Sequence, residues 1–304
     1  MRELAAVKPF EPAKPGTVLA GFNVLAWVGQ GAASQIYVVQ DPKTKQIYAL
    51  KHVEKNDPKD IRFIEQAERE YEIGSKVKHP AVRSIMKIMK TRERIVSVKE
   101  VFLLMEYVDG VSIEKAPPRT FERAVDIFLQ VADGLAAMHK AGWVHADMKP
   151  NNVVVNEAGQ VKIIDLGQGC PTCTVKERIQ GTPDYIAPEQ VHRRAITAKT
   201  DIYNLGATMY WVFTGKNIPT AMPKDNSLVS SLDDAFIEKP RPVRELNSRC
   251  PDLLSDMIMA CVQVDPDARP ADMDEVYQRL DLVRAKLATA ANPQTAPSLD
   301  DTAI

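Results

Sequence analysis

Within the stretch Asp147-Met-Lys-Pro-Asn-Asn152 the chain places an acid (Asp147), a cation (Lys149) and a carboxamide (Asn152). A β-branched run, Val153–Val155, follows directly, and a second apolar run ends in Asp165-Leu-Gly167. Residue types alone make this a loop of polar groups at the mouth of a β-hairpin whose turn is Asn156-Glu-Ala-Gly-Gln160. Asp165 and Asn152 offer hard oxygen atoms to a metal, Lys149 a phosphate partner, and Asp147 a base. The chemistry implied is that of a metal–phosphate site.

Such a loop needs a scaffold, and the rest of the chain supplies its signals in order. Residues 1–18 carry Pro9, Pro12 and Pro15 and read as an extended lead-in. Short strand-like runs follow at Phe22–Val28, Gln35–Gln40 and Gln46–Val53, broken by Gly29-Gln-Gly31 and by the turn Asp41-Pro-Lys-Thr-Lys45. Asp57-Pro58 is a helix start, and Ile61, Ile64, Ala67, Tyr71 and Val77 continue it at helical spacing until His79-Pro80. Two more strands are expected at Ile85–Met89 and Ser97–Tyr107, joined by a charged turn at Thr91–Arg94. Asp109-Gly110 breaks the pattern and reads as a hinge. Beyond it the signal turns helical, with one apolar face running from Phe121 to Met138 and further helices at Asp201–Thr214, Pro251–Cys261 and Met273–Ala288. The layout is α+β with two lobes: a strand-rich lobe over 19–108, a helix-rich lobe over 109–288, and a small polar tail over 289–304 expected to be disordered.

Length and composition narrow the function classes. A chain of 304 residues can bury one large core or two moderate lobes. A formal charge of −1 argues against nucleic acid or a membrane surface as the main partner. Four cysteines do not make a disulfide framework, so a reducing, cytoplasmic setting is expected. Cys170 and Cys173 form a C-x-x-C without a second pair, which argues against zinc and leaves two loop cysteines. No apolar run is long enough to span a bilayer.

The motifs together resemble the eukaryotic-type (Hanks-type) protein kinases, in particular the serine/threonine kinases of bacteria. His145-Ala-Asp147, Lys149 and Asn152 match the catalytic loop H-R-D-x-K-x-x-N except at the arginine, and Asp165-Leu-Gly167 matches D-F-G. Gly29-Gln-Gly31-Ala-Ala-Ser34-Gln-Ile36 resembles the glycine-rich loop, with Ser34 in place of its third glycine. Tyr48-Ala49-Leu50-Lys51 resembles the V-A-I-K strand. Gly181-Thr-Pro-Asp-Tyr-Ile-Ala-Pro-Glu189 resembles the segment that seats a peptide. The resemblance covers roughly residues 22–285.

The family then implies ATP and Mg²⁺ as cofactors and protein Ser/Thr hydroxyls as acceptors. It implies a base (Asp147), a γ-phosphoryl partner (Lys149), metal ligands (Asn152 and Asp165), and a phosphate-binding lysine (Lys51) paired with a helix glutamate. Glu70 is the expected partner from its spacing to His79-Pro80, with Glu68 and Glu72 close in register. Nucleotide contacts fall on Gly29, Gly31, Ser34, Ile36, Ala49, Met105, Glu106, Val108 and Val154, with Ser112 or Asp109 near the ribose. Lys149 and Thr182 point to serine/threonine rather than tyrosine specificity. Asp201 is expected to brace the catalytic loop and Arg269 to pair with Glu189. Ala146, standing where the family has arginine, implies activity without phosphorylation of the activation loop. Gly74, where the family has a large apolar residue, implies a gap filled by another side chain or by an activating partner at the Glu70 helix. A pseudokinase serving as a binding or scaffold module is the alternative, and a small-molecule kinase a more distant one.

Overall fold

In the computed structural model, residues 12–31, 33–92, 98–220, 222, 234 and 237–291 are described. Most of the expected lead-in, the end of the turn at Thr91–Arg94 and the tail after residue 291 lie outside these residues. The chain divides into two compact units, Met1–Ser75 with Ser84–Val108, and Lys76–Arg83 with Asp109–Ile304. The segment 76–83 therefore groups with the second unit, although it was expected in the first lobe.

The first unit holds β1 (Val18–Leu19), β2 (Phe22–Gln30), β3 (Ser34–Gln40), β4 (Ile47–Glu54), α1 (Ile61–Lys76), β5 (Ile85–Arg92) and β6 (Val98–Glu106). The strands form one sheet in the order β1-β2-β3-β4-β6-β5, antiparallel throughout. The Asp41 carboxylate accepts from the N–H groups of Lys43 (2.7 Å) and Thr44 (3.1 Å), which closes the β3–β4 turn. Ahead of α1, Asp57 accepts from Lys59 N–H and Asp60 accepts from Asp57 N–H. These reciprocal bonds close a 3₁₀ turn over Pro58–Asp60, so the α-helix proper starts at Ile61, three residues after Pro58.

Side-chain alternation on β4 decides which residues meet α1. Ala49 and Val53 join Ile64 and Ala67 of α1 in a buried cluster with Ile85, Val101, Leu103 and Met105. Leu50 lies on the opposite face with Val24, Tyr37, Val39, Phe102 and Leu104. Burying one such aliphatic chain contributes about 1.5–3 kcal/mol, so the first of these clusters, the one that Ile64 and Ala67 join, sets the rotation of α1 about its axis. Of the two alternatives expected at Gly74, a neighbouring side chain is the one found. A Cβ there would lie 2.4 Å from Ile85 Cγ1 and 2.8 Å from its Cδ1. Ile85 fills the space, which removes the observation on which an activating partner at this helix was expected.

The second unit holds β7 (Val111–Ser112), α2 (Phe121–Lys140), β8 (Trp143–Val144), β9 (Val153–Val155), β10 (Val161–Ile163), β11 (Cys170–Pro171), α3 (Pro188–Val191), α4 (Ala198–Thr214), α5 (Val243–Leu246), α6 (Asp252–Cys261) and α7 (Met273–Ala291). Thr120 caps α2 by accepting from Arg123 N–H at 3.2 Å. β9 and β10 form the expected hairpin, with Val155 opposite Val161 and Val153 opposite Ile163. The turn is held by Asn156 Oδ1 accepting from Gln160 N–H at 2.8 Å. α4 is buried nearly all round, so its polar residues must find partners inside the protein. Helix α7 runs to Ala291, three residues past the expected Ala288. Among the described residues no helix is long and apolar enough to cross a membrane.

Candidate active site

In the first unit, Lys51 shares the α1-facing side of β4 with Ala49 and Val53, since residues two apart point the same way. Its Nζ reaches Glu70 Oε2 at 2.6 Å, and Glu70 is 2 % exposed. The three glutamates that the sequence leaves close in register are separated by helix rotation. Ile64 and Ala67 point into the core, and Glu70 continues that stripe at i+3. Glu68 instead lies at the surface, pairing with Lys90 at 2.6 Å. Ile36 stands directly across the ladder from Lys51, and Met105 across from Ala49. Ala49 and Met105 are buried, while Ile36 is partly buried against the same cluster.

The glycine loop is the β2–β3 hairpin, with Gly29 opposite Ile36. Gly31 N–H donates to Ser34 O at 2.8 Å, and a Cβ on residue 31 would lie 2.6 Å from Ser34 Oγ. The serine that replaces the third glycine thus takes up space that only glycine at 31 leaves open. Glu106 N–H donates to Ser84 O at 2.9 Å, and its carboxylate accepts from Ser84 N–H at 3.2 Å. Val108 ends this unit, half-buried.

In the second unit the polar loop closes on itself. Asp147 Oδ1 accepts from Thr182 N–H (3.0 Å) and from Thr182 Oγ1 (2.9 Å). Lys149 Nζ donates to Asp147 Oδ2 (2.9 Å) and to Thr182 Oγ1 (2.8 Å). Asn152 Nδ2 donates to the Asp147 carbonyl at 2.8 Å, which turns its Oδ1 into the atom left for another partner. Ile164 N–H donates to Asn152 O at 2.9 Å and so ties the loop to the residue before Asp165. Asp165 itself has φ +61°, a left-handed conformation uncommon for a residue with a side chain. Val154 lies buried on β9, and the Ser112 hydroxyl on β7 is buried with no hydrogen-bond partner.

The loop is held from beneath by Asp201 of α4. Asp201 accepts from His145 N–H (2.8 Å), Ala146 N–H (2.7 Å) and the His139 ring (2.8 Å). Burial pushes its pKa up, but the His139 hydrogen bond and the charges of His139 and His145 outweigh that and hold it below the ordinary value. Ala146 sits at φ +59°, and its backbone is fixed on both sides: its carbonyl accepts from Gln190 Nε2 at 2.8 Å. Asn204, one turn after Asp201, donates to Tyr185 O (2.7 Å) and to Gln190 Oε1 (3.1 Å). Arg269 pairs with Glu189 through both nitrogens, Nη1 to Oε1 at 2.8 Å and Nη2 to Oε2 at 3.0 Å, with both residues buried.

His139, Gln190 and Asn204 escaped the sequence reading. Their signal is faint: His139 and Asn204 are polar residues on otherwise apolar helical faces, a pattern that a surface helix also produces, and Gln190 lies in a four-residue helix too short to show a face. The tight pair Cys170-Pro-Thr-Cys173 is split by the fold, with Cys170 buried and Cys173 exposed at φ +64°. Among the described residues no cluster of three or more His, Cys, Asp or Glu could hold a metal.

A family model described as "Protein kinase domain" matches residues 22–280. Among curated proteins, a probable serine/threonine-protein kinase of Clostridium acetobutylicum is 25% identical over 94% of this chain and 46% of its own length. Mitogen-activated protein kinase kinase 2 of Arabidopsis thaliana is 29% identical over 88% of this chain and 74% of its own. The serine/threonine-protein kinase PrkC of Bacillus subtilis is 24% identical over 88% of this chain and 40% of its own. The chain spans about half or less of the length of the bacterial relatives it matches.

Proposed function

This chain belongs to the protein kinase domain family, and we propose that it transfers the γ-phosphoryl group of ATP to Ser and Thr hydroxyls of proteins. The observation that carries the reading is the ring formed by Asp147, Lys149 and Thr182. It sets a carboxylate, a cation and a hydroxyl within 3.0 Å of one another on a rigid support. Asp147 accepts the proton of the attacking hydroxyl, and Lys149 meets charge developing on the phosphoryl oxygens. Thr182, on the segment that seats the peptide, holds Asp147 in one rotamer. Lys51, fixed by Glu70, is the partner for the nucleotide phosphates. Within the first unit, Gly29, Gly31 and Ser34 would line those phosphates, and Ile36, Ala49, Met105, Glu106 and Val108 would contact the base.

The residues fit Mg²⁺. Asn152 Oδ1 and the Asp165 carboxylate are hard oxygen donors. Too few protein ligands for a closed cage suits a cation that keeps water and substrate phosphates as its remaining ligands. When bound, Mg²⁺ would neutralise phosphate charge.

Independence from activation-loop phosphorylation is part of the same proposal. Cys170 pairs with Val144 and Pro171 with Trp143, Cys173 N–H donates to Ile196 O at 2.7 Å, and Ile196 N–H donates to Thr174 O at 2.8 Å. Val144, Ala146, Cys170 and Ile196 form a buried apolar cluster behind the loop. Backbone pairing and this cluster support order in the segment, and Ala146 brings no cation to await a phosphate.

Autophosphorylation with labelled ATP and Mg²⁺ tests the reading, comparing the wild type with Asp147→Asn. The expected result is incorporation that falls by at least ~10³-fold in the variant, the scale set by loss of a general base together with its positioning. No incorporation by the wild type into itself or any protein would favour the nucleotide-binding scaffold.

A further inference from the structure

Gln190, the residue directly after Glu189 in α3, is buried, and every hydrogen-bonding position of its carboxamide is taken. Its Nε2 donates to Ala146 O at 2.8 Å and to Gln180 O at 3.2 Å. Its Oε1 accepts from Ala187 N–H at 3.0 Å and from Asn204 Nδ2 at 3.1 Å. Two donors meet two carbonyls and two lone pairs meet two N–H groups, the full capacity of a primary amide. The network also fixes the orientation, since a flipped carboxamide would set its oxygen against two carbonyl oxygens.

The two carbonyls give this clamp a role. Ala146 directly precedes Asp147, and Gln180 comes two residues before Thr182. Gln190 therefore joins the same two loops that the Asp147–Thr182 bonds join at the site of chemistry. Asp201 holds Ala146 by its N–H at 2.7 Å and Gln190 holds it by its carbonyl, so both polar groups of a residue at φ +59° are fixed. Gly181, between Gln180 and Thr182, has φ +137°, and a Cβ there would lie 3.3 Å from Gln190 Nε2 and 3.1 Å from Ile186 Cγ1. A side chain at 181 would press on the clamp, and glycine leaves it room. On the other side, Asn204 ties the carboxamide oxygen to buried α4.

Resting on the protein kinase reading above, we propose that Gln190 is a positioning residue for phosphoryl transfer. Its carboxamide sets the register between the catalytic loop and the loop that carries Thr182, and so holds Asp147 and Thr182 at bonding distance. It acts through the two backbones and touches none of the reacting atoms. A neutral amide thus couples residue 146 to the activation loop, a coupling that an arginine at 146 would make only to a phosphorylated loop.

The test is steady-state kinetics on a protein that the wild type phosphorylates, with Gln190→Met and Gln190→Glu, each also made in a Thr182→Ala background. Methionine matches glutamine in length and offers no donor, while glutamate keeps the oxygen and loses both donors. Each substitution is expected to lower kcat per folded molecule about 10²-fold with KM for ATP within about twofold, the pattern of a misplaced base with nucleotide binding intact. Thr182→Ala already removes the hydroxyl bond to Asp147, so in that background the same substitutions should cost less than about tenfold. A purely structural role would change the folded fraction and leave kcat per folded molecule alone. Wild-type kcat in either variant, or losses that multiply in full with that of Thr182→Ala, overturns the inference and leaves the kinase reading standing. If Gln190→Met does not fold by circular dichroism, Asn204→Ala, which frees one lone pair of the same carboxamide, takes its place. There a kcat about tenfold lower at unchanged KM for ATP supports the inference, and an unchanged kcat overturns it. A wild type silent on every protein and on itself overturns both readings.

Discussion

Gly74 of α1 offers the sharpest quantitative test of the packing. By helix propensity alone, Gly74→Ala should stabilise the chain by about 1 kcal/mol. The structure reverses the sign. The new methyl would lie 2.4 Å from Cγ1 and 2.8 Å from Cδ1 of Ile85, which is 1 % exposed. Ile85 cannot step aside: its χ1 is stiff because it is β-branched, and its backbone is paired with Met105. Overpacking of this kind costs about 1–3 kcal/mol, and a clash with a stiff neighbour falls in the upper half of that range. The expected net effect is a loss of about 1–2 kcal/mol, read as a lower denaturation midpoint at unchanged slope. Ile85→Ala alone should cost about 2–5 kcal/mol by opening a cavity. In the double variant the alanine at 74 gains room, so the two losses should add to more than the loss measured, with a coupling of at least ~1 kcal/mol. Stabilisation by Gly74→Ala, or additivity within about 0.5 kcal/mol, would refute the reasoning and restore a real gap beside α1.

The remaining predictions concern regulation, the buried ion pair and alkaline pH. Replacing Thr172 and Thr174 together with alanine should leave kcat/KM within about tenfold, or ~1.4 kcal/mol in the barrier, if the segment is ordered by backbone pairing; a larger loss removes that proposal. Arg269→Ala strands the Glu189 carboxylate in the interior, so thermal denaturation should show a destabilisation of about 3–5 kcal/mol. Burial raises the thiol pKa of Cys261 from 9.0 to about 12 and that of Cys250 from 9.0 to about 11, and burial likewise raises Tyr185 from 10.0 to about 12. For each group the folded state holds its proton to higher pH than the unfolded state. Stability is therefore intact below pH 9 and should fall between about pH 9 and 12; Cys261→Ala and Cys250→Ala, measured by denaturation at pH 8 and pH 10.5, should flatten that decline.

What was legible in the sequence is what local spacing encodes. Strands alternate with period two and helices with period 3.6, so β2 to β6, α1, α2, α4, α6 and α7 could be located from apolar positions and caps. The chemical groups of the loop were equally plain, because Asp147, Lys149 and Asn152 lie within one short turn and their types admit few other uses together. The short strands β7, β8 and β11 carry no such pattern, since two residues cannot establish a period, and they exist because a partner strand is present. Tertiary structure supplied the causes. The spacing to His79-Pro80 favoured Glu70 over Glu68 and Glu72, and the physical cause lies in the fold: the burial of Ile64 and Ala67 turns Glu70 rather than Glu68 toward Lys51. Gly74 looked like a hole because the side chain that fills it, Ile85, belongs to the next strand. The apolar cluster behind Ala146 and the grip of Gln190 on Ala146 join residues 24 to 52 and 44 positions apart. Contacts of that span follow from how elements pack, and no local pattern of residues records them.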